Sequence, residues 1–249
     1  MIHVVQMTDI HLFADPGGRL YDINTRDTLR AVVQHAKVGL PPIDTLLVTG
    51  DLVHDESEAG YQALRDLVQP LNAQDFYLPG NHDDPDIMQR VLPNATQDGL
   101  VYVERGPWLI ILLDSSVRGR VEGNLSQPTM KKLMALLASN AQKHVLIALH
   151  HHVIDVKSRW LDALNLRNNI DFLSVLKDFP NVRLVVNGHI HQELDEQRDG
   201  VRFLGTPATC FQFAARRTNA GIDSLPPGYR QIMLHDDGSV ETRVHYVEV

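Results

Sequence analysis

The sequence predicts an α/β protein in which mixed sheets pack together between helices. Two patterns and one absence carry this reading. Short, apolar, β-branched-rich runs alternate with amphipathic helical runs as far as residue 191. Beyond that point the helices stop, and strand-like runs joined by Gly and Asp turns remain. No linker, repeat or low-complexity tract interrupts the 249 residues, so residues 1–249 are read as a single domain with a substantial core.

The elements follow in order. "IHVVQM" (2–7) is a buried strand. In the next segment Asn24 is the expected N-cap of a helix that places Leu29, Val32, Val33 and Ala36 on one face. "DTLLVTG" (44–50) is a strand, followed by a helix over 57–69 capped by Ser57. "FYLPG" (76–80) is a strand, and the following helix carries Pro85 in its first turn. "VYVE" and "WLIILLDS" (108–115) are strands, and "QPTMKKLMALLAS" is a helix. "KHVLIALHHH" (143–152) is a strand, residues 168–179 a helix and "VRLVVNGHIH" (182–191) a strand. "GVRFLGTPAT", "YRQIMLHDDGSV" and "ETRVHYVEV" close the chain as strands. The irregular stretches 153–168 and 214–228 are expected to lie over a site.

Composition narrows the function. A formal charge of −8 argues against a general nucleic-acid binder and leaves room for bound cations. The lone cysteine, Cys210, excludes an intrachain disulfide and fits a reducing compartment. No basic segment leads into an apolar run at the N-terminus, and no apolar run approaches the roughly 18 residues of a membrane span. The expected location is therefore cytoplasmic, away from the membrane.

The strand exits hold the chemistry. "MTDIH" offers Asp9 and His11, "VTGDL" offers Asp51, and "LPGNHD" offers Asn81 and His82. "ALHHH" offers His150 and its neighbours, and "VNGHIH" offers His189 and His191. Ligands in open α/β sheets lie beyond the carboxyl ends of the strands, so these groups are expected to converge. In extended backbone, residues i and i+2 project to one side, so Asp-x-His and His-x-His are expected to address one ion or two adjacent ones. Any one of these motifs occurs by chance or as an ordinary turn, but five in order at five strand exits do not.

Two Asp, one Asn and several His without thiolate suit two divalent ions among Fe, Mn, Zn and Co. Asp51, central in order and with no second ligand beside it, is the natural bridge between ions ~3.5–4 Å apart. Such a pair activates water and clamps phosphoryl oxygens, the basis of a hydrolytic phosphoesterase. Asn81 adds a neutral oxygen, and His82 is read as a group that protonates the leaving oxygen rather than as a ligand. Asp83 is expected to orient His82 or to cap the next helix, and Asp84 to cap it. Trp160, Arg159 and Arg167 are weaker candidates for base or phosphate contacts. Cys210 and Phe211 are expected to be buried, and His54, His35, His144, His235 and His245 have no motif context.

The series "TDIH…GD…GNHD…HHH…GHIH" resembles the calcineurin-like metallophosphoesterase superfamily over nearly the whole chain. "LLDSS" (112–116), "LRNN" (166–169), "GHIHQELD" (188–195), "TPATCFQF" (206–213) and "LPPGYR" (225–230) narrow it to the class III cyclic-nucleotide phosphodiesterases. The resemblance implies an αββα sandwich, a cytoplasmic enzyme, and Fe or Mn as native metals, with Zn, Co or Mg as alternatives. It implies one metal on Asp9, His11 and His191, a second on Asn81, His150 and His189, and Asp51 between them. Substrate would meet His11, Asp51, Asn81, His82 and His191. The implied reaction is hydrolysis of 3′,5′-cyclic AMP to 5′-AMP by a metal-bound hydroxide. Rival readings are another small diester (a glycerophosphodiester or 2′,3′-cyclic nucleotide), a phosphoprotein phosphatase, or a non-catalytic metal-bound regulator. A homodimer is compatible with this class, although no exposed apolar stripe demands one. Where the family often has proline after the histidine run, this chain has Val153 and Ile154.

Overall fold

The computed structural model describes residues 1–249. The first half contains β1 (Ile2–Met7), β2 (Arg19–Leu20), β3 (Ile23–Asn24), α1 (Thr25–Gly39), β4 (Thr45–Thr49), α2 (Glu58–Val68), β5 (Gln74–Leu78), α3 (Pro85–Val91), β6 (Leu100–Arg105) and β7 (Trp108–Leu113). The second contains α4 (Gln127–Ser139), β8 (His144–Leu149), α5 (Arg159–Asp162), α6 (Asn169–Asp178), β9 (Val182–Asn187), β10 (Leu194–Arg198), β11 (Val201–Gly205), β12 (Gly228–Leu234) and β13 (Val240–Tyr246).

Local chemistry places the helix starts where the sequence suggests. The Asn24 side chain accepts from the amides of Arg26 and Asp27, and Ser57 accepts from Gly60. Asp84 accepts from Asp86 and Ile87, with Pro85 in the first turn. Each cap satisfies amides that a helix N-terminus otherwise leaves unpaired.

Two sheets result. One runs β13-β12-β1-β4-β5, the other β10-β11-β9-β8-β7-β6. Both are mixed: β1, β4 and β5 are parallel, as are β7, β8, β9 and β11, while β12, β13, β6 and β10 pair antiparallel. The central strands are buried on both faces, which explains why their sequences read as continuous apolar runs. In β7, Trp108, Ile110 and Leu112 join Val4, Leu47, Leu146, Val186 and Ile232 in the layer between the sheets. Its alternate residues, Leu109, Ile111 and Leu113, pack outward with Leu133 and Leu137 of α4 and Phe172 of α6. On the far side, α1, α2 and α3 cover β1 and β4 through Leu29, Val32, Leu64 and Met88. The order is helix, sheet, sheet, helix, the αββα sandwich.

Three strand features escape local reading. β2 and β3 form a two-residue hairpin, β10 adds an edge strand, and β8 stops at Leu149, leaving the histidine run beyond it. Val153 and Ile154, which follow the histidine run, are buried in the outer core. No helix is long and apolar enough to cross a membrane.

Leu146 is fully buried between the sheets. Leu146→Ala is expected to lower the unfolding free energy by about 2–5 kcal/mol, read as a reduced urea midpoint with an unchanged slope.

Candidate metal centre

Five parallel strands, three from one sheet and two from the other, point their carboxyl ends at one seam. Asp9 and His11 follow β1, Asp51 follows β4, Asn81 and His82 follow β5, His150 follows β8, and His189 and His191 follow β9. Asp9, His11, Asp51, His150, His189 and His191 are all buried, while Asn81 and His82 are partly open.

The backbone that delivers them is not extended. Asp9, His11, Asp51, His189 and His191 all have φ between 47° and 68°. The expected i, i+2 alternation therefore does not apply: the Asp-x-His and His-x-His pairs lie in left-handed turns beyond the strands. Such backbone is unfavourable for residues with a Cβ and recurs at functional sites. The glycines beside it are required sterically. Gly50 has φ +92°, and a Cβ on Gly80 would run into the Asp51 carboxylate and amide.

The imidazoles are oriented by what lies behind them. Nδ1 of His150 is 2.9 Å from the Thr49 carbonyl, and Nδ1 of His191 is 2.7 Å from that of Phe211. A carbonyl only accepts, so each Nδ1 carries a proton and Nε2 is the nitrogen left to face the seam. These Nε2 atoms face the carboxylates: His191 lies 3.3 Å from Asp9, and His150 lies 3.4 Å from Oδ2 of Asp51. The same Oδ2 is 3.7 Å from Nε2 of His11, so one oxygen addresses histidines on both sides. The Asn81 amide oxygen stands 3.3 Å from Nε2 of His150. Nε2 of His189 is buried with no partner in the protein.

Electrostatics follow from burial and proximity. Burial pushes His11 down to about 3 and His189 well below the usual imidazole value, so both are neutral. Burial also disfavours charge on His150, yet Asp51 beside it holds its pKa up, to about 9. Burial works against ionisation of Asp51, but His150 and His11 keep it well below the usual carboxylate range. Asp9 is lowered too, with burial opposed chiefly by His191.

Donor atoms of Asp9, His11 and His191 lie within 4.8 Å of one another, as do those of Asp9, Asp51 and His150. Inward-facing imidazole nitrogens, buried carboxylates and an orphaned imidazole nitrogen are what a cation would complete. The residues fit a pair of divalent ions. His151 also stands in this crowd, but Ser115 and the Val121 carbonyl occupy its two nitrogens.

Asp83 departs from expectation. Its carboxylate accepts from the amides of Leu52, Val53 and Gly80 and from the Tyr61 hydroxyl, and it makes no hydrogen bond to the His82 ring. It therefore braces the loop that carries Asp51. Burial, then the charge on Asp51, raise its pKa to about 6 against these donors. His82 is held by other means: its amide donates to Oδ1 of Asp51, and its ring stacks on His54 at 4.9 Å.

His54 had no motif to mark it, yet its Nδ1 lies 3.3 Å from Nδ1 of His11. Cys210 is buried as expected, and its thiol donates to the Asp9 carbonyl.

A cavity of about 440 Å³ opens over these groups. The 153–168 segment contributes Trp160, Leu161 and Leu164 to its wall. The 214–228 segment contributes nothing, and Arg159 and Arg167 do not line it. The rest of the apolar wall is the β2–β3 hairpin with Val121, Phe211 and Phe213, so Phe211 is both buried and part of the site.

The motif chemistry and the fold agree with known proteins. Residues 2–193 match the calcineurin-like phosphoesterase family. The chain belongs to that family. Among phosphoesterases of this kind, it is 37% identical over 249 residues to the 3′,5′-cyclic adenosine monophosphate phosphodiesterase CpdA of Haemophilus influenzae, covering 100% of this chain and 91% of that protein. It is 38% identical over 245 residues to CpdA of Escherichia coli K12, covering 98% and 89%. The fold is shared with a dimetal phosphatase from Danio rerio, at TM-score 0.74 and 14% identity over 99% of both chains.

Removing the Asp83 carboxylate strands three buried amides and a hydroxyl. Asp83→Ala is expected to lower stability by about 3 kcal/mol or more in chemical denaturation. A loss within error would show that the loop around Asp51 does not depend on it.

Proposed function

We propose that this chain is a binuclear metal-dependent phosphodiesterase that hydrolyses 3′,5′-cyclic AMP to 5′-AMP. The observation that carries the metal chemistry is Oδ2 of Asp51, set between the inward nitrogens of His11 and His150. The substrate is carried by full-length similarity to proteins named as cyclic AMP phosphodiesterases. In this reading Asp9, His11 and His191 hold one ion, Asn81, His150 and His189 hold the other, and Asp51 joins them. The thiolate-free N and O donor set suits Fe or Mn. Bound there, two divalent ions supply Lewis acidity and a nucleophile from water at neutral pH.

The chain's own residues do the rest. The neutral Asn81 adds a donor without adding negative charge, which keeps the centre attractive to a phosphodiester anion. His82 lines the cavity, and its ring nitrogens have no protein partner. Stacked against His54, it is held edge-on to His11. From there it hydrogen-bonds a phosphoryl oxygen and delivers a proton to the departing 3′ oxygen. Only one ester bond breaks, and the second charge that appears on phosphate is met by the cationic centre.

Metal-stripped protein reconstituted with Mn or Fe(II) is expected to hydrolyse 3′,5′-cyclic AMP with a higher kcat/KM than 2′,3′-cyclic AMP, glycerophosphocholine or a phosphomonoester. Asp51→Ala should lose both metal and activity. His82→Ala should keep its metals while kcat falls about 10²–10⁴-fold. Preference for another diester would refute the substrate; loss of metal from His82→Ala would refute that role.

Protons compete with metal at His150, whose pKa is about 9. The imidazole must lose its proton before Nε2 can bind, so affinity should rise with pH up to that value. Chelator competition is expected to show metal affinity weakening about tenfold per pH unit below it.

A further inference from the structure

The metal-facing groups account for only one end of the cavity. The other end is aromatic. Tyr21 stands edge-on to Phe211 (5.0 Å, 74°), Phe211 to Phe213 (5.5 Å, 77°), and Phe213 to Trp160 (4.9 Å, 87°). Phe211 and Phe213 also pack on the His191 ring, at 4.9 and 4.4 Å. Four rings thus form one continuous wall that begins at the metal centre and ends in Tyr21 on one side and Trp160 on the other. Successive edge-to-face contacts make such a wall rigid.

Tyr21 is the unusual member. It sits at the tip of the β2–β3 hairpin and is 65% exposed, whereas Phe211 is buried. Tyr21 and Asp22 have φ +48° and +65°, the left-handed pair that a two-residue hairpin normally gives to Asn or Gly. A bulky ring in that conformation is strained. The tip is nevertheless tied down: the Arg19 guanidinium donates to the Asp22 carbonyl at 2.7 Å. Asn24, which ends the hairpin, caps α1 and donates to the Pro16 carbonyl. The result is a large, exposed aromatic ring lining the cavity on a fastened support.

We infer that Tyr21 is the base-stacking residue, receiving the purine of the nucleotide at the mouth of the cavity, with Trp160 at the far end of the same aromatic wall. This rests on the cyclic AMP reading and adds what that reading lacks, a site for the base. A phosphate at the metals leaves the apolar end of the cavity to a flat, weakly polar group. Stacking needs only a π-face and apolar surroundings, which is what this end offers; it holds no lysine, and its one arginine is occupied with the hairpin.

The test uses the metal-loaded full chain and three ligands. Tyr21→Ala is expected to raise KM for 3′,5′-cyclic AMP and Ki for 5′-AMP about tenfold, while kcat and the Ki of inorganic phosphate stay unchanged. Tyr21→Trp should retain wild-type values. Unchanged KM and Ki for the nucleotides would overturn the inference. So would an equal rise for inorganic phosphate, because the hairpin would then be acting on the metal centre. Failure of the substrate reading registers separately, as a wild type that does not turn over cyclic AMP. Inhibition of the wild type by 5′-AMP no stronger than by inorganic phosphate would overturn the base site itself.

Discussion

Two carboxylates with no lysine or arginine beside them, Asp9 and Asp51, are buried where the sheets meet. Everything around them answers that constraint. A bare carboxylate in such a place is strongly disfavoured unless it is paired and hydrogen-bonded. Here its partners are imidazoles, from His191, His11 and His150. Backbone amides complete the set, His189 donating to Asp9 and His82 to Asp51. These partners arrive from the ends of four strands, β1, β5, β8 and β9, so the strands of both sheets must end at one place. The interlocked core between the sheets holds that convergence.

The turns that follow the strands meet a second demand. A side chain continuing along a strand would point into a sheet face, not into the seam. Left-handed backbone at five of these residues redirects them, at an energetic penalty met by packing and hydrogen bonds elsewhere. Asp83 is one such brace. Its carboxylate collects the amides of the Asp51 loop and the Tyr61 hydroxyl, and so acts on the centre through the backbone it holds. His54 acts from the other side, behind His11 and against His82. Neither touches the seam as a donor to it, yet both set where its groups point.

The cavity is divided in the same way as the reaction it would serve. Charged and imidazole groups occupy the end formed by the strand exits. Aromatic and aliphatic groups occupy the end formed by the hairpin, by the α5 segment and by Phe211 and Phe213. The strand exits follow from the parallel order of the sheets, whereas the apolar end is built from a hairpin, a short helix and the residues after β11.

The sequence by itself determined the order of the main strands and helices, three helix caps and the strand-exit residues of the site. Those signals are local: an apolar run ends, a glycine turns the chain, and Asp, Asn or His follows within a few residues. Asn24, Ser57 and Asp84 cap their helices for the same reason, since a cap needs only its own next turn. What tertiary structure alone decided is which atoms face which. The contact of Asp51 with His150 spans chain positions far apart, and its geometry depends on strand order in two separate sheets. The partners of Asp83, the place of His54 behind His11, and the Tyr21 hairpin over Phe211 depend on the same assembly. The i, i+2 reading of Asp9 and His11 failed because periodicity describes a strand, and these residues lie just beyond one. Side-chain direction in a turn is set by φ, and φ there is imposed by the packing of everything the turn connects.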